Sequence, residues 1–247
     1  MFTFLFDTLF YLPLYNGLIF LIDIVPLHDV GTALVVLTLL VKTVLYPLSK
    51  KASLSQYRMR ALEPELSRIK EKHGHDKTEH ARQTMELYRT NGINPFSSFL
   101  TLLLQLPILI ALYLIFLNGG LPAVNLEYLY SFIQAPALVN TEFAGMFDLA
   151  QKSIPLAILA GLTQFVQARL ALPPLPASLK PSTGATPSFK EDFGRSMNMQ
   201  FRYVMPVFIA VISYTLPSAI ALYWSVGNIF AIAQELLVKR AARTMQS

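Results

Sequence analysis

A lysine interrupts an apolar stretch of the chain, and it is the first side chain that could do chemistry. Lys42 lies inside the stretch 30–48, VGTALVVLTLLVKTVLYPL. A charge buried in hydrocarbon costs at least about 2.5 kcal/mol, which makes it a candidate functional group by default. However, Lys42 lies six residues before Leu48, roughly 9 Å from the end of the stretch. A lysine side chain can extend that far to reach water. Two interpretations therefore remain open: the charge has a function inside the membrane, or the side chain extends to water at the membrane surface.

Uncharged polar side chains occur in the same stretch and in the other apolar stretches. Each alone is more often a hydrogen bond between helices than a ligand contact. Together with a cation, they could line a hydrated cavity open to the cytoplasm. No acidic residue interrupts these stretches, whereas a proton-coupled transporter would usually need one. The candidate groove residues are Lys42, Thr38, Gln105, Gln164, Gln167, Ser213, Tyr214, Ser225 and Asn228.

Other residue types that often carry chemistry form no recognisable site. His73, His75 and His80 are close in sequence, but no HExxH-type motif accompanies them, so a polar turn is the better interpretation. The chain has no cysteine, which excludes a thiol nucleophile and cysteine-ligated zinc. No Ser–His–Asp arrangement and no phosphate-binding glycine loop is present. The sequence therefore predicts no catalytic residue, no cofactor and no metal.

The elements that must position the groove residues are membrane-spanning helices. Hydrophobic residues make up 53% of the 247 residues and charged residues only 14%, whereas a soluble domain carries roughly 25% charged residues. A span needs about 20 mainly apolar residues, and the stretches 30–48, 95–117, 154–172 and 203–233 qualify. The last is too long for one helix and contains Pro217 near its middle, so it is predicted to form two spans.

Lysine and arginine residues indicate the orientation of these spans. Residues 1–41 and 118–151 contain none, whereas residues 49–94 contain ten. The positive-inside rule places the basic segments in the cytoplasm and the others outside. With five spans and a cytoplasmic C-terminus, the apolar first segment does not cross. Its aromatic residues fit a helix in the outer interface, although a sixth span remains an alternative.

The predicted fold is an all-α membrane protein with a five-transmembrane-helix core, an outer-face interfacial helix and a cytoplasmic helical hairpin. The predicted boundaries are 1–27 for the interfacial helix, 28–48 for the first span, 49–94 for the hairpin, 95–117 for the second span, 118–151 for the external loop, 152–172 for the third span, 173–199 for a flexible cytoplasmic loop, 200–216 for the fourth span, 217–238 for the fifth span and 239–247 for the cytoplasmic tail.

The cytoplasmic insert at 49–94 shows two short apolar stripes at helical spacing, one formed by Leu62, Leu66 and Ile69. Its ten basic residues exceed its six acidic ones. Such a surface could contact anionic lipid headgroups, ribosomal RNA or acidic proteins. An ordinary solvated loop that obeys the positive-inside rule explains the same charges.

Short motifs in the order and spacing of these spans resemble the YidC/Oxa/Alb family of membrane protein insertases, in particular the compact bacterial members. The resemblance covers about Gly31 to Arg240, most of the chain. The stretches that carry it are Tyr46-Pro47-Leu48, Leu62-Glu63-Pro64-Glu65, Asn94-Pro95, Gln105-Leu106-Pro107-Ile108, Met205-Pro206, Pro217-Ser218 and Leu222-Tyr223-Trp224 with Asn228.

The resemblance implies a hydrophilic groove that is open to the cytoplasm and to lipid but closed on the outside. Lys42 matches the groove position that is usually arginine, and Trp224 joins the candidate groove residues. The implied function is insertion and folding of membrane proteins without nucleotide hydrolysis, which is not an enzymatic reaction. A small multi-span transporter or channel is the alternative. It would need ionisable pairs across the spans or repeats in the hydropathy pattern.

The same resemblance implies the partners and the location. Nascent membrane proteins and the lipid bilayer are the expected partners, a ribosome and a Sec translocon are further candidates, and no specific nucleic-acid sequence is expected. The expected location is the plasma membrane, with a multi-pass topology, the N-terminus outside and the C-terminus in the cytoplasm.

Overall fold

The computed structural model describes residues 2–73, 75–94, 97–118, 121–171 and 199–244, and this part of the chain is mostly helical. The helices are α1 (Phe2–Phe6), α2 (Leu12–Ile24), α3 (Val30–Ala61), α4 (Glu63–His73), α5 (Lys77–Thr90), α6 (Ser97–Asn118), α7 (Ile154–Ala171), α8 (Met205–Thr215) and α9 (Ser218–Thr244). The strands β1 (Glu142–Phe143) and β2 (Phe147–Asp148) form one short antiparallel pair. The predicted class, an all-α membrane protein, is confirmed.

Shorter helical turns join or extend several of these helices. π-helical turns occur at Asp7–Tyr11, between α1 and α2, and at Gln200–Val204, directly before α8. 3₁₀ turns occur at Pro26–His28 and Leu126–Tyr128. The first π-helical turn makes α1 and α2 continuous, so the first segment of the chain is helical almost throughout.

Four helical stretches in the described part of the chain are long and apolar enough to cross a membrane: Phe4–Ile24, Val30–Ala61, Ile154–Ala171 and Ser218–Arg240. α6 contains the shorter apolar helix Leu103–Leu117. The first of the four is the segment predicted to lie in the interface. Length and composition allow it to span, so its placement, like the number of spans, stays a prediction. Of the flexible loop predicted at 173–199, residues 173–198 lie outside the described residues.

The chain divides into two compact units. The first, which we call the core unit, comprises Met1–Thr43 and Leu106–Ala233. The second, the hairpin unit, comprises Val44–Gln105 and Gln234–Ser247. The division falls within α3, α6 and α9, each of which contributes to both units.

In the core unit, α7 packs against α8 at a small-residue contact. A Cβ atom on Gly161 would lie 2.8 Å from the Cβ atom of Ala210 and 3.1 Å from the carbonyl oxygen of Pro206. Small residues let helix backbones approach closely in membranes, where association relies on van der Waals packing. Glycine at position 161 is therefore required for this close approach.

The connecting segment 121–153 of the core unit is bound to α2 through hydrogen bonds of buried side chains. The Asn16 amide nitrogen donates to the carbonyl oxygen of Tyr128 (2.8 Å), and the backbone N–H of Tyr130 donates to the Asn16 amide oxygen (2.7 Å). The backbone N–H of Asn125 donates to the Tyr15 hydroxyl at 2.8 Å. Tyr15 and Asn16 are almost completely buried. The segment is thus held in place by specific bonds rather than by hydropathy.

The same segment also binds the first turns of α3 and α9. The backbone N–H of Val30 donates to the carbonyl oxygen of Asn140 (2.9 Å), and that of Ala219 donates to the carbonyl oxygen of Leu149 (3.1 Å). At the start of α9, the backbone N–H of Ser218 donates to the carbonyl oxygen of Gln151 at 2.9 Å. Helix N-termini leave backbone N–H groups unsatisfied, and here the connecting segment supplies their acceptors.

α3 begins with an aspartate N-cap. The Asp29 carboxylate accepts hydrogen bonds from the backbone N–H groups of Gly31 (2.6 Å) and Thr32 (3.0 Å). A side chain on Gly31 would overlap the ring of Phe143, which packs on the first turn of α3. The cap and this ring fix where α3 starts.

In the hairpin unit, α4 packs against α5, which agrees with the predicted hairpin. Asp76 caps α5 by accepting from the backbone N–H groups of Thr78 (2.9 Å) and Glu79 (3.1 Å). In the second half of α3, the Ser49 hydroxyl donates to the side-chain oxygen of Gln234 at 2.8 Å, which joins α3 to α9 within this unit.

Candidate functional site

The side chain of Lys42 lies against α9 in the core unit. A Cβ atom on Gly227 would lie 3.1 Å from Cε and 3.5 Å from Nζ of Lys42. Lys42 is half-buried and Gly227 is buried. The end of the lysine side chain therefore rests on the surface of α9, in the space left by a glycine. Sequence reasoning missed Gly227. The available signal was a glycine in an apolar stretch, directly before a candidate groove residue.

Asn228 follows Gly227 and joins α9 to α7. Its amide nitrogen donates to the Thr163 hydroxyl oxygen at 3.3 Å, and only 8% of Asn228 is exposed. The Thr163 hydroxyl in turn donates to the carbonyl oxygen of Leu159 at 2.9 Å. Sequence reasoning identified Asn228 but not Thr163, because threonine is common in apolar helices and its position relative to α9 is a tertiary property.

Thr38 and Ser225 are buried hydroxyl residues that donate within their own helices. The Thr38 hydroxyl donates to the carbonyl oxygen of Leu34, and the Ser225 hydroxyl donates to that of Ala221, both at 2.7 Å. Each residue is 1% exposed. With its proton engaged in its own helix, each oxygen keeps a lone pair available as an acceptor.

Four further candidates lie at half-buried positions. Gln164 and Gln167 are one turn apart on α7, and the amide nitrogen of the first is 3.5 Å from the amide oxygen of the second. Trp224 is half-buried on α9. Gln105 is half-buried on α6 and belongs to the hairpin unit.

The two neighbouring candidates on α8 have different surroundings. Ser213 is completely buried, and its hydroxyl oxygen has no hydrogen-bond partner among the described residues. Tyr214 is 46% exposed, and its ring lies 6.0 Å from Nζ of Lys152, two residues before the start of α7. Adjacent residues on a helix point about 100° apart, which explains why the two side chains have different surroundings.

Another basic side chain of the core unit is more deeply buried than Lys42. Arg202 lies in the π-helical turn before α8 and is 8% exposed. The sequence does not single it out as a candidate groove residue. Its type alone could not reveal its burial, because most arginines near the end of an apolar stretch are solvated.

The hairpin unit presents a charged surface with ion pairs along α5. The Arg82 guanidinium donates to the Glu79 carboxylate at 2.9 Å, and Arg89 pairs with Glu86 at 2.8 Å. The hydrogen bond from Arg82 lowers the pKa of Glu79 to about 2. A cleft of about 450 Å³ lies beside these pairs and is lined by Arg82, Met85, Glu86, Tyr88, Arg89, Ile93 and Asn94.

Within the described ranges, no group of three or more histidine, aspartate or glutamate side chains is arranged to hold a metal ion. The arrangement in the core unit is instead one of a cation with nearby amide and hydroxyl groups. Such groups bind water and can stabilise negative charge.

The chain is similar to known proteins over most of its length. Residues 21–245 match the protein family described as 60Kd inner membrane protein. The chain is 33% identical over 216 residues to membrane protein insertase YidC of Clostridium tetani, covering 87% of this chain and 84% of that protein. It is 31% identical over 215 residues to membrane protein insertase YidC of Oceanobacillus iheyensis, covering 85% and 74%.

A longer relative matches over the same part of the chain. The chain is 31% identical over 214 residues to membrane protein insertase YidC of Methylobacillus flagellatus, covering 87% of this chain but 33% of that protein.

Proposed function

Because the chain belongs to the 60Kd inner membrane protein family, whose matched relatives are named membrane protein insertases, we propose that it inserts membrane proteins along the polar side chains of its core unit. The observation that carries this proposal is the position of Lys42. Its charged end rests on Gly227, one residue before Asn228, whose amide contacts Thr163. A cation on α3, an amide on α9 and a hydroxyl group on α7 thus come together inside apolar helices.

These groups lower the barrier for moving a short polar tail across the membrane. Polar side chains and a charge retain water inside the bilayer, which shortens the apolar path that the tail must cross. The ammonium group also attracts an acidic tail electrostatically, in surroundings of lower dielectric constant than water. The apolar segment of the substrate then moves sideways into lipid, where burial of about 20 apolar residues is itself favourable. Nucleotide hydrolysis is not needed.

Lysine rather than arginine at this position affects the type of contact. Lysine is a compact point charge on a flexible stem, whereas arginine binds a carboxylate through two parallel hydrogen bonds. We expect Lys42 to attract acidic tails transiently and without a fixed geometry. This behaviour suits a protein that must release its substrate.

The proposed orientation places the connecting segment 121–153 and the N-terminus outside, and the hairpin and C-terminus in the cytoplasm. The distribution of basic residues supports it, since residues 118–151 contain none and residues 49–94 contain ten. The hydrogen bonds between the connecting segment and α2, α3 and α9 support its role as the outer closure of the groove.

The hairpin is proposed to meet incoming partners on the cytoplasmic side. Its excess of basic residues favours contact with anionic lipid headgroups, and it also fits a ribosome or a Sec translocon as partner. Nascent membrane proteins are the substrates of the proposed activity.

Insertion by the purified protein in liposomes that lack a Sec channel tests the proposal. The substrate is a single-span protein with a short acidic tail, and protease protection of the tail is measured against empty liposomes. We expect protection with the natural protein, about fivefold less with Lys42→Ala, as for loss of roughly 1 kcal/mol of charge contact, and none with Lys42→Glu.

Circular dichroism of each variant in the same liposomes controls for folding. Protection equal to that in empty liposomes, with a folded protein, would refute autonomous insertion. Solute flux through these liposomes would then favour the transporter or channel. A Lys42→Glu variant that inserts acidic tails at the natural rate would exclude the groove charge from the mechanism.

A further inference from the structure

Gly227 lies in the interior of a continuous helix, where glycine is unfavourable. α9 runs without a break from Ser218 to Thr244. Among the described glycines, positive φ angles occur at Gly92 and Gly145 but not at Gly227. The backbone conformation at 227 is therefore open to any residue, and alanine would form the helix better. Glycine at this position needs another explanation.

Neighbouring helices do not provide that explanation. At Gly161, an added Cβ atom would meet the Cβ atom of Ala210 and the backbone of Pro206, as expected of a packing glycine. At Gly227, the atoms of other described helices within 4 Å of an added Cβ are the Cε and Nζ atoms of Lys42. The space beside Gly227 is thus occupied by the end of one flexible side chain.

The two interpretations of Lys42 left open by its sequence position differ in where the ammonium group rests. A lysine stem has several rotatable bonds and can extend to the membrane surface or remain at its own depth. An added Cβ atom on residue 227 would lie only 3.1 Å from Cε of Lys42, so the end of the lysine side chain would have to shift, and a larger side chain would displace it further. The size of residue 227 therefore selects between the two positions.

We propose that Gly227 is a positioning residue, which holds the ammonium group of Lys42 at the depth of Asn228 by leaving the space in which it rests. This inference rests on the proposed function, in which that charge meets the acidic tail of the substrate. It adds that α9, and not α3 alone, determines where the charge acts and which substrates benefit from it.

The test compares Gly227→Ala and Gly227→Leu with the natural protein, using two substrates that differ only in an acidic or a neutral tail. Gly17→Ala is the matched control, because its new Cβ atom meets Leu37 at an ordinary 3.4 Å and does not approach Lys42. We expect about a twofold loss of acidic-tail insertion for Gly227→Ala and about a fivefold loss for Gly227→Leu. The larger loss corresponds to complete removal of one solvated charge contact. Neutral-tail insertion stays unchanged, as does all insertion by Gly17→Ala.

A double-mutant cycle separates positioning from a structural role. In a Lys42→Ala background, Gly227→Leu has no lysine to displace, so it should cause no further loss with either substrate. Equal losses in both backgrounds, or equal losses with both tails, would overturn the inference. If Gly227→Leu does not fold, the same cycle with Gly227→Ala decides.

A measurement that does not depend on insertion is the rate at which a water-soluble amine reagent modifies Lys42, read by mass spectrometry. We expect faster modification in Gly227→Leu, because the ammonium group is displaced toward water. An unchanged rate would overturn the inference. Failure of the proposed function itself would look different, since the natural protein would then insert neither substrate, or Lys42→Ala would insert both normally.

Discussion

The connecting segment 121–153 and the helical hairpin are both exposed parts of the chain, but they are held in opposite ways. The connecting segment is bound to helices far away in sequence, through buried groups such as Asn16 and Tyr15. The hydrogen bonds described above for the hairpin helices are local, such as the Asp76 cap and the Arg82–Glu79 pair three residues apart. The first region depends on the rest of the core unit, whereas the second is stabilised within itself. A segment that closes the groove on the outside needs firm attachment to the core unit. A surface that meets changing partners needs stability of its own.

Removing one asparagine that binds each region should give the largest contrast. Asn16→Ala, on α2, leaves the Tyr128 carbonyl and the Tyr130 N–H of the connecting segment without their partner, which costs about 2–4 kcal/mol of stability. Asn91→Ala, in which an exposed amide loses its bond to the Leu87 carbonyl, should cost less than about 0.5 kcal/mol. Thermal unfolding in detergent micelles measures both. Similar losses would show that the two regions are equally integrated.

Two aspartate N-caps sharpen the comparison at a smaller scale. Asp29→Ala removes the cap of α3 and should lower core stability by about 1–2 kcal/mol. Asp76→Ala removes the cap of α5 and should leave the core melting temperature unchanged while α5 amides exchange faster. Hydrogen exchange resolved by segment distinguishes the two results. A core melting temperature lowered by Asp76→Ala would mean that the hairpin supports the core.

Removal of the hairpin tests its independence directly. Replacing residues 60–85 by a short Gly/Ser linker should change core stability by less than about 0.5 kcal/mol, since loop length adds little entropy cost. Insertion should fall, because delivery of substrates is impaired. The two readouts are the melting temperature of the membrane-embedded protein and protease protection in liposomes. Loss of the folded protein would make the hairpin a structural element instead.

The smallest expected effect is the pH dependence of the α5 ion pair. Because the folded pKa of Glu79 is lowered from 4.5 to about 2, the stability it contributes is complete above pH 4.5 and is lost as the pH falls through about 2. Carbon NMR of the Glu79 carboxyl group should show a midpoint near 2. In Arg82→Ala, from which the main hydrogen bond is absent, the midpoint should return toward its ordinary value. A midpoint unaffected by this substitution would contradict the assigned cause.

Much of the fold could be predicted from the sequence, because hydropathy and proline act over short distances. The apolar stretches coincide with helices, and α8 ends at Thr215 and α9 begins at Ser218, on either side of Pro217. The placement of the first segment is different, since a helix in the interface and a helix across the membrane have similar composition. The bonds of the connecting segment were not predictable either, because they join residues more than a hundred positions apart.

The candidate site residues could be predicted from their residue types, but the directions in which their side chains point could not. Lys42 and Asn228 stand out because a charge or an amide is costly in an apolar helix. Gly227 and Thr163 carry no such signal, and their roles depend on which helix faces them. Ser213 and Tyr214 were grouped by depth alone, yet one is completely buried and the other lies beside Lys152. A linear pattern specifies depth, whereas the facing direction depends on packing.

The hydrogen bonds at the first turn of α9 also limit how α7 and α9 can move. Ser218 and Ala219 are bonded to Gln151 and Leu149, just before α7 begins, so this end of the two helices is a common pivot. Asn228 lies ten residues along α9, about 15 Å from the pivot. A tilt of roughly 5° about the pivot would separate the helices there by about 1.3 Å, enough to break the 3.3 Å contact between Asn228 and Thr163. The bonds at Ser218 and Ala219 thus permit the two helices to separate near Asn228 while their ends at this side stay joined.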